Sequence, residues 1–277
     1  MKDILKYMIA EDVGFEDITT KALVNNTLIA KANIISRQTA IVAGVELISE
    51  ILDEYFLDYT IYKNDGEIVN ENEVILSIEG SASDILTLER TMLNLMIRLS
   101  GIATLTKNVI DMAREVNEDV IIAATRKTTP GIQSFEMNAV RLAGGDTHRF
   151  RLDDCVLIKD NHLEIIGDIT QAIQLAKKHV SFTKKIEIEV ENKQDALTAS
   201  KAGADIILLD NMSPTQIQET LKLLKSNNLR DNVLIEASGG INPDNIRGYA
   251  ETGVDIISLG FLSHSAQSVD LSLEMIF

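Results

Sequence analysis

Residues 185–191, KIEIEVE, set Glu187, Glu189 and Glu191 in alternation with Ile186, Ile188 and Val190. A strand has a side-chain period of two, so the three carboxylates share one face. If both faces are covered, those acids need basic partners or a metal, because an unpaired buried carboxylate is costly. On an edge strand the same pattern is a solvated acidic face. Asp210 closes the next apolar run, ADIILLDN. Glu189 and Asp210 would then be two acids from adjacent strands at one rim, a pair suited to Mg²⁺ held through oxygen and shared with substrate oxygens. The competing role for Asp210 is to cap the following helix, a task Ser213 can also perform.

Opposite charge is concentrated nearby in sequence. Arg126, Lys127, Arg141, His148, Arg149, Arg151 and Lys159 fall within one short segment. A guanidinium fork binds a carboxylate through two hydrogen bonds, and lysine supplies a point charge. Several such groups in one pocket predict a ligand with more than one negative group; the alternative is ordinary pairing with Asp146, Asp153 and Asp154. Ser238-Gly239-Gly240 follows VLIEA, and Gly260 ends VDIISLG. Glycines there let backbone N–H groups approach an anion, and a helix start would add a favourable dipole. His179 reads as a surface residue, His264 as a neighbour of the anion loop or a bystander, and Cys155 as core packing.

These groups need a frame. From about residue 118 strand candidates at 120–125, 155–160, 185–191, 204–210, 233–238 and 254–260 alternate with helical stretches at 168–179, 193–202, 214–225 and 243–251. That alternation implies parallel pairing with right-handed crossovers. Nearly every strand ends in reactive groups, which favours a (β/α) barrel, whose site is assembled at the C-terminal strand ends, over an open sheet with one switch point. The region before it is a small antiparallel α+β unit: β-branched residues at 28–44, a helix near 45–56, and turn signals at Asp65-Gly66 and 70–72. Residues 83–116 read as helical with Gly101 interrupting and Ser83 as N-cap. The domain boundary falls in that helical region.

The chain has 277 residues and a net charge of -16. The charge argues against nucleic-acid binding, yet a local basic pocket can sit in an acidic shell. No apolar run reaches the length of a membrane span, and the acidic start MKDILKYMIAEDVGFED does not read as a signal peptide, so the expected location is the cytoplasm. The single Cys155 excludes an internal disulfide and a CxxC metal site.

The blocks EDVGFEDITT, ERTMLNLMIRLSGIAT, ATRKTTPG, AGGDTHRFRLDD, VLIKDNH, IEIEVEN, IILLDNM, EASGGIN and TGVDIISLG resemble, in order, those of the quinolinate phosphoribosyltransferase family, the carboxylating nicotinate-nucleotide pyrophosphorylases. The resemblance implies an incomplete (β/α) barrel at 105–264 and an N-terminal α/β sandwich at 1–104, to which the tail 265–277 returns. It implies a homodimer with shared active sites. Arg126, Lys127, His148, Arg149 and Lys159 would bind quinolinate, with Arg90 entering from the other subunit. Glu189 and Asp210 would bind Mg²⁺ and the ribose of phosphoribosyl pyrophosphate, and Ser238, Gly239, Gly240 and Gly260 the 5′-phosphate. Lys127, Lys159, Glu189 and Asp210 are the expected catalytic set, and nicotinate mononucleotide, CO₂ and pyrophosphate the products. The chain departs from the family pattern at Gln133, Met137, Asn138 and Ala143, where two positive charges are lost. Alternatives are a family paralogue of the type found with molybdate-transport genes, taking another anionic ligand or binding without turnover, and a Schiff-base barrel with Lys159 as nucleophile.

Overall fold

The computed structural model describes residues 2–25 and 27–276. In chain order the helices are α1 (Lys2–Val13), α2 (Ile18–Leu23), α3 (Val45–Glu54), α4 (Ala82–Arg114), α5 (Gln133–Leu142), α6 (Asp160–Ile166), α7 (Ile169–His179), α8 (Lys193–Ala202), α9 (Pro214–Ser226), α10 (Ile246–Ala250) and α11 (Phe261–His264). The strands are β1 (Ile29–Ser36), β2 (Ala40–Ile41), β3 (Asp58–Ile61), β4 (Ile68–Val69), β5 (Val74–Ser81), β6 (Ile121–Ala123), β7 (Val156–Ile158), β8 (Ile186–Val190), β9 (Ile206–Asp210), β10 (Leu234–Ser238), β11 (Ile256–Ser258) and β12 (Leu271–Ile276). They form two compact units: Met1–Lys107 with Thr129–Gly144 and Ser265–Phe277, and Asn108–Thr128 with Gly145–His264.

The first unit is built on an antiparallel sheet of order β12-β1-β5-β3. The C-terminal strand β12 pairs along β1 from Ser36↔Leu271 to Lys31↔Ile276. Helix α3 starts at Gly44, whose φ of 107° suits glycine, and Asp65 accepts from the first N–H groups, those of Val45 and Glu46. Helix α4 is continuous through Gly101, so the expected interruption is absent. The glycine is there for approach: a Cβ on it would collide with the Gln267 carbonyl of the returning tail. Ser83 lies inside α4 and does not cap it; the hydroxyl of Ser81 accepts from Asp84 N–H instead. Helix α5 also belongs to this unit, with Phe135, Met137, Ala139 and Val140 buried. Its fully buried Glu136 accepts from Arg98 and from the backbone and hydroxyl of Thr129.

The second unit holds a parallel sheet of order β6-β11-β10-β9-β8-β7. Successive strands from β7 to β11 are neighbours, and β11 pairs with β6, the first in sequence. A sheet whose last strand returns to its first is curling into a barrel. Here β6 and β7 are not paired, which leaves a seam and makes the barrel incomplete. At the seam Asp146 makes a parallel bridge to Ala123, with Asp146 N–H to Ile122 O and Ala124 N–H to Asp146 O both at 2.8 Å.

Register decides what the barrel contains. Glu189, Leu208 and Glu236 lie abreast, as do Asp210, Ser238 and Ser258. The alternating residues Ile188, Ile207, Leu209, Ile235 and Ala237 are fully buried on the other face, the apolar layer that the crossover helices cover. Those helices begin at conventional caps: Asp168 for α7, Asn192 for α8 and Ser213 for α9, the last with Pro214 at the first helical position and Gln216 closing a capping box. The helix expected at 243–251 is shorter. Asn242 N–H donates to Asn245 Oδ1 at 2.9 Å, and this turn delays α10 until Ile246, so no helix N-terminus follows the glycine pair directly. Among the described residues no helix is long and apolar enough to cross a membrane.

Candidate active site

The C-terminal strand ends of the second unit surround a cavity of about 630 Å³. It is lined by Arg126, Lys127, His148, Arg149, Lys159, Glu189, Asp210, Ser238, Gly239, Gly240 and Gly260. Arg141, Arg151, Glu187 and Glu191, also noted in sequence, do not line it, and the residues assigned by motif converge with the exception of Arg90. That residue is exposed on α4 in the first unit, 3.8 Å from its neighbour Glu89, and does not line this cavity.

The acids sit where the period of two places them. Exposure grows toward the mouth, from fully buried Glu187 through half-buried Glu189 to exposed Glu191. Glu189 Oε2 meets Lys159 Nζ at 2.6 Å. The backbone of Lys159 is held too, its N–H donating to His162 Nδ1 at 2.9 Å. Asp210 has no capping duty, because Ser213 performs it. Burial, and then the charge of Glu189, push the Asp210 carboxyl above the ordinary range, while Asn211 Nδ2 donates to it at 2.6 Å. Two half-buried acids with only oxygen donors, one raised by the other, fit a hard divalent cation.

The glycine cradle is formed by backbone shape. Gly239 and Gly240 have φ of 91° and 63°. A Cβ on Gly239 would run into Asn211, including its backbone nitrogen at 2.8 Å, and that nitrogen already donates to Ser238 O at 2.9 Å. Asn245 Nδ2 ties down the Gly240 carbonyl at 3.0 Å. At Gly260 a Cβ would lie 2.8 Å from Lys127 Cδ and 3.2 Å from the ring of His264. His264 therefore lines the cavity beside the anion cradle.

His148 is the most constrained of the basic set. Its Nε2 is 3.0 Å from Glu236 Oε2 and 3.5 Å from Glu187 Oε2. Burial pulls the imidazole pKa down, but hydrogen bonds and charge from the two carboxylates override it and hold the pKa up at about 10. Burial chiefly pushes the Glu187 carboxyl up, against the pull of His148. The three side chains also lie close enough to hold a metal ion. Burial and the charge of Glu187 raise the Cys155 thiol to about 11, so it stays protonated, as a packing role requires.

Sequence reading did not single out Glu236 or Asn242, both of which line the cavity. The signal for Glu236 was present: a lone acid inside VLIEAS, two residues before Ser238. Of the departures from the family pattern, Met137 is a core residue at 2% exposure, and Asn138 Oδ1 accepts from Arg141 at 2.8 Å.

An incomplete barrel with cations, paired acids and an anion cradle at one mouth defines an enzyme that handles multiply anionic, sugar-phosphate-like ligands. The chain belongs to the quinolinate phosphoribosyl transferase family: residues 17–100 match the model of its N-terminal domain and residues 102–274 that of its C-terminal domain. It is 57% identical over 275 residues to a probable nicotinate-nucleotide pyrophosphorylase (carboxylating) of Methanothermobacter thermautotrophicus, covering 99% of each chain. To the nicotinate-nucleotide pyrophosphorylase (carboxylating) of Mycobacterium leprae it is 34% identical over 280 residues, covering 99% of this chain and 96% of that one. The crystal structure of the nicotinate-nucleotide pyrophosphorylase from Ehrlichia chaffeensis superposes with a TM-score of 0.93 at 34% identity, over 100% of this chain and 98% of that one.

Proposed function

We propose that this enzyme transfers the phosphoribosyl group of 5-phosphoribosyl 1-pyrophosphate to the ring nitrogen of quinolinate, releasing pyrophosphate and CO₂ and forming nicotinate mononucleotide. One observation carries the reading: a cationic surface, a pair of acids and a glycine cradle line a single cavity. Those are the complements of a dicarboxylate, of a ribosyl centre with its diphosphate, and of a terminal phosphate.

Arg126, Lys127, Arg149 and Lys159 bind the two carboxylates and turn the ring nitrogen toward the anomeric carbon, so orientation supplies much of the rate. Backbone N–H groups of the 239–240 turn hold the 5′-phosphate. Glu189 and Asp210 face the ribosyl centre, where positive character grows as the pyrophosphate bond lengthens. The same two carboxylates would hold Mg²⁺, which supplies charge neutralisation for the departing diphosphate. The nitrogen lone pair forms the new C–N bond, so no general base is needed. The cationic nitrogen then stabilises the electron pair left on the adjacent ring carbon when its carboxylate departs as CO₂, and a proton from water completes the C–H bond there.

The proposal includes a homodimer in which the partner subunit's Arg90 completes each dicarboxylate site. Its exposure on α4 and the exposed apolar residues Phe15, Ile18 and Leu23 support it. It also includes a cytoplasmic location, in keeping with a chain whose single cysteine can form no internal disulfide. The Schiff-base alternative is disfavoured because the Lys159 ammonium is engaged by Glu189 at 2.6 Å.

The test is pyrophosphate release with Mg²⁺, the ribose donor and a panel of pyridine carboxylates. Pyridine-2,3-dicarboxylate is expected to be the preferred acceptor, with CO₂ in equal amount. No release with that acid, or release without CO₂, would overturn the assignment.

A further inference from the structure

Glu187 and Glu236 are fully buried beneath a cavity that receives an anion. Two bare carboxylates there would repel it and would be costly to bury. Each points one oxygen toward the same atom, His148 Nε2, at 3.5 and 3.0 Å. Among the described residues the other oxygen of each, Oε1, is buried without a hydrogen-bond partner. Cys155 Sγ adds a weak contact to Glu187 Oε2 at 3.9 Å.

The backbone serves the same contact. His148 has φ of 54°, a left-handed conformation that a side chain other than glycine rarely adopts. Asp146 Oδ1 accepts its N–H at 2.6 Å and Thr147 Oγ1 donates to its carbonyl at 3.2 Å. Asp146 is itself anchored to β6 at the seam. Strain of this kind persists only where surrounding contacts overdetermine it.

We propose that Glu236 and Glu187 are positioning residues that act through His148: they clamp Nε2, fix the ring plane, and leave Nδ1–H as the donor presented to the acceptor's carboxylate. The clamp also reverses the sign that the buried acids would show to the ligand. It rests on the reading of the cavity as a dicarboxylate site, and it makes Glu236, an acid that would itself repel a carboxylate, a determinant of acceptor affinity through His148.

The test is steady-state kinetics of the full-length enzyme. Glu236→Gln is expected to raise KM for the pyridine dicarboxylate at least tenfold and to move KM for the ribose donor less than twofold, a split that general loosening of the barrel would not produce. In a His148→Ala background the same substitution is expected to have less than a twofold effect, because its only route is then gone. Equal rises in both KM values, or full additivity with His148→Ala, would overturn the clamp. So would a stoichiometric divalent metal in the purified enzyme that Glu236→Gln removes, since the three side chains would then be ligands. A second measurement needs no variant and no turnover. In the ¹⁵N spectrum of histidine-labelled protein at pH 8, one imidazole is expected with both nitrogens protonated, and its absence defeats the inference even if the enzyme is active. Failure of the wild type to release pyrophosphate would instead count against the functional reading and leave the spectrum to decide the clamp.

Discussion

Single side chains at the mouth carry distinct parts of the work, and substitution should separate them. Arg149→Ala leaves a bound carboxylate without its fork and is expected to cost about 3 kcal/mol in kcat/KM, roughly a hundredfold, in initial-rate assays. Asp210→Asn should divide function from stability. Its carboxyl is raised by burial and by Glu189, so ionising it works against the folded state. The stability this group contributes is present below the ordinary aspartate range and lost as pH rises through its folded pKa. At neutral pH the metal-free variant is therefore expected to be inactive yet slightly more stable in chemical denaturation, by well under about 1 kcal/mol, because Asp210 is partly exposed and solvent screens the repulsion. His148 has the same sign over a higher window. Its pKa is raised to about 10, so the stability it brings is complete below about 6.5, the free imidazole value, and disappears as pH climbs through 10. The advantage of the wild type over His148→Gln in denaturant midpoint should shrink across that interval; a constant difference would refute it. Residue types and spacing made most of these groups legible, because charges at strand ends stand out against apolar runs. Glu236 did not stand out: its partner lies 88 positions away, and an isolated acid in a strand shows its role only once pairing is known.

Among the elements, periodicity located the barrel strands and most of their crossover helices, since a two-residue period and a helical one are hard to confuse over such lengths. What it misread were glycines and helix ends. Gly101 looked like a break and is a point of close approach; nothing local in α4 announces a tail that arrives from residue 267. Gly101→Ala should push that tail away and destabilise the first unit by about 2–4 kcal/mol, read as a lower melting temperature and as faster amide exchange in β12. An unchanged melting temperature would mean the tail yields freely. The glycine pair after β10 was read as preceding a helix dipole. In its place is a turn closed by Asn242 and Asn245, so the cradle depends on backbone conformation alone.

At the scale of the whole molecule, an acidic chain of net charge -16 keeps a cationic mouth for an anionic substrate. If the partner subunit's Arg90 completes that mouth, Arg90→Ala and Arg149→Ala chains should each be inactive alone. Mixed after unfolding and refolding together, they should regain about a quarter of wild-type activity when dimers form at random, since half the dimers are mixed and each carries one intact site. No recovery would mean that Arg90 serves the site of its own subunit and not the partner's. This residue was reached only through family resemblance, because a helix arginine beside a glutamate has no distinguishing pattern.

The seam between β6 and β7 bears on how such a mouth adapts to its cargo. A fully closed barrel can change its bore only by breaking a ladder along a whole strand. Here the segment that carries His148 and Arg149 is fastened to β6 by two backbone hydrogen bonds at Asp146. That flank is held at one end by this bridge, worth about 1 kcal/mol net per bond, and at the other by the contacts of His148 with Glu187 and Glu236, so side chains take over across the seam the task that a strand ladder performs elsewhere in the cylinder.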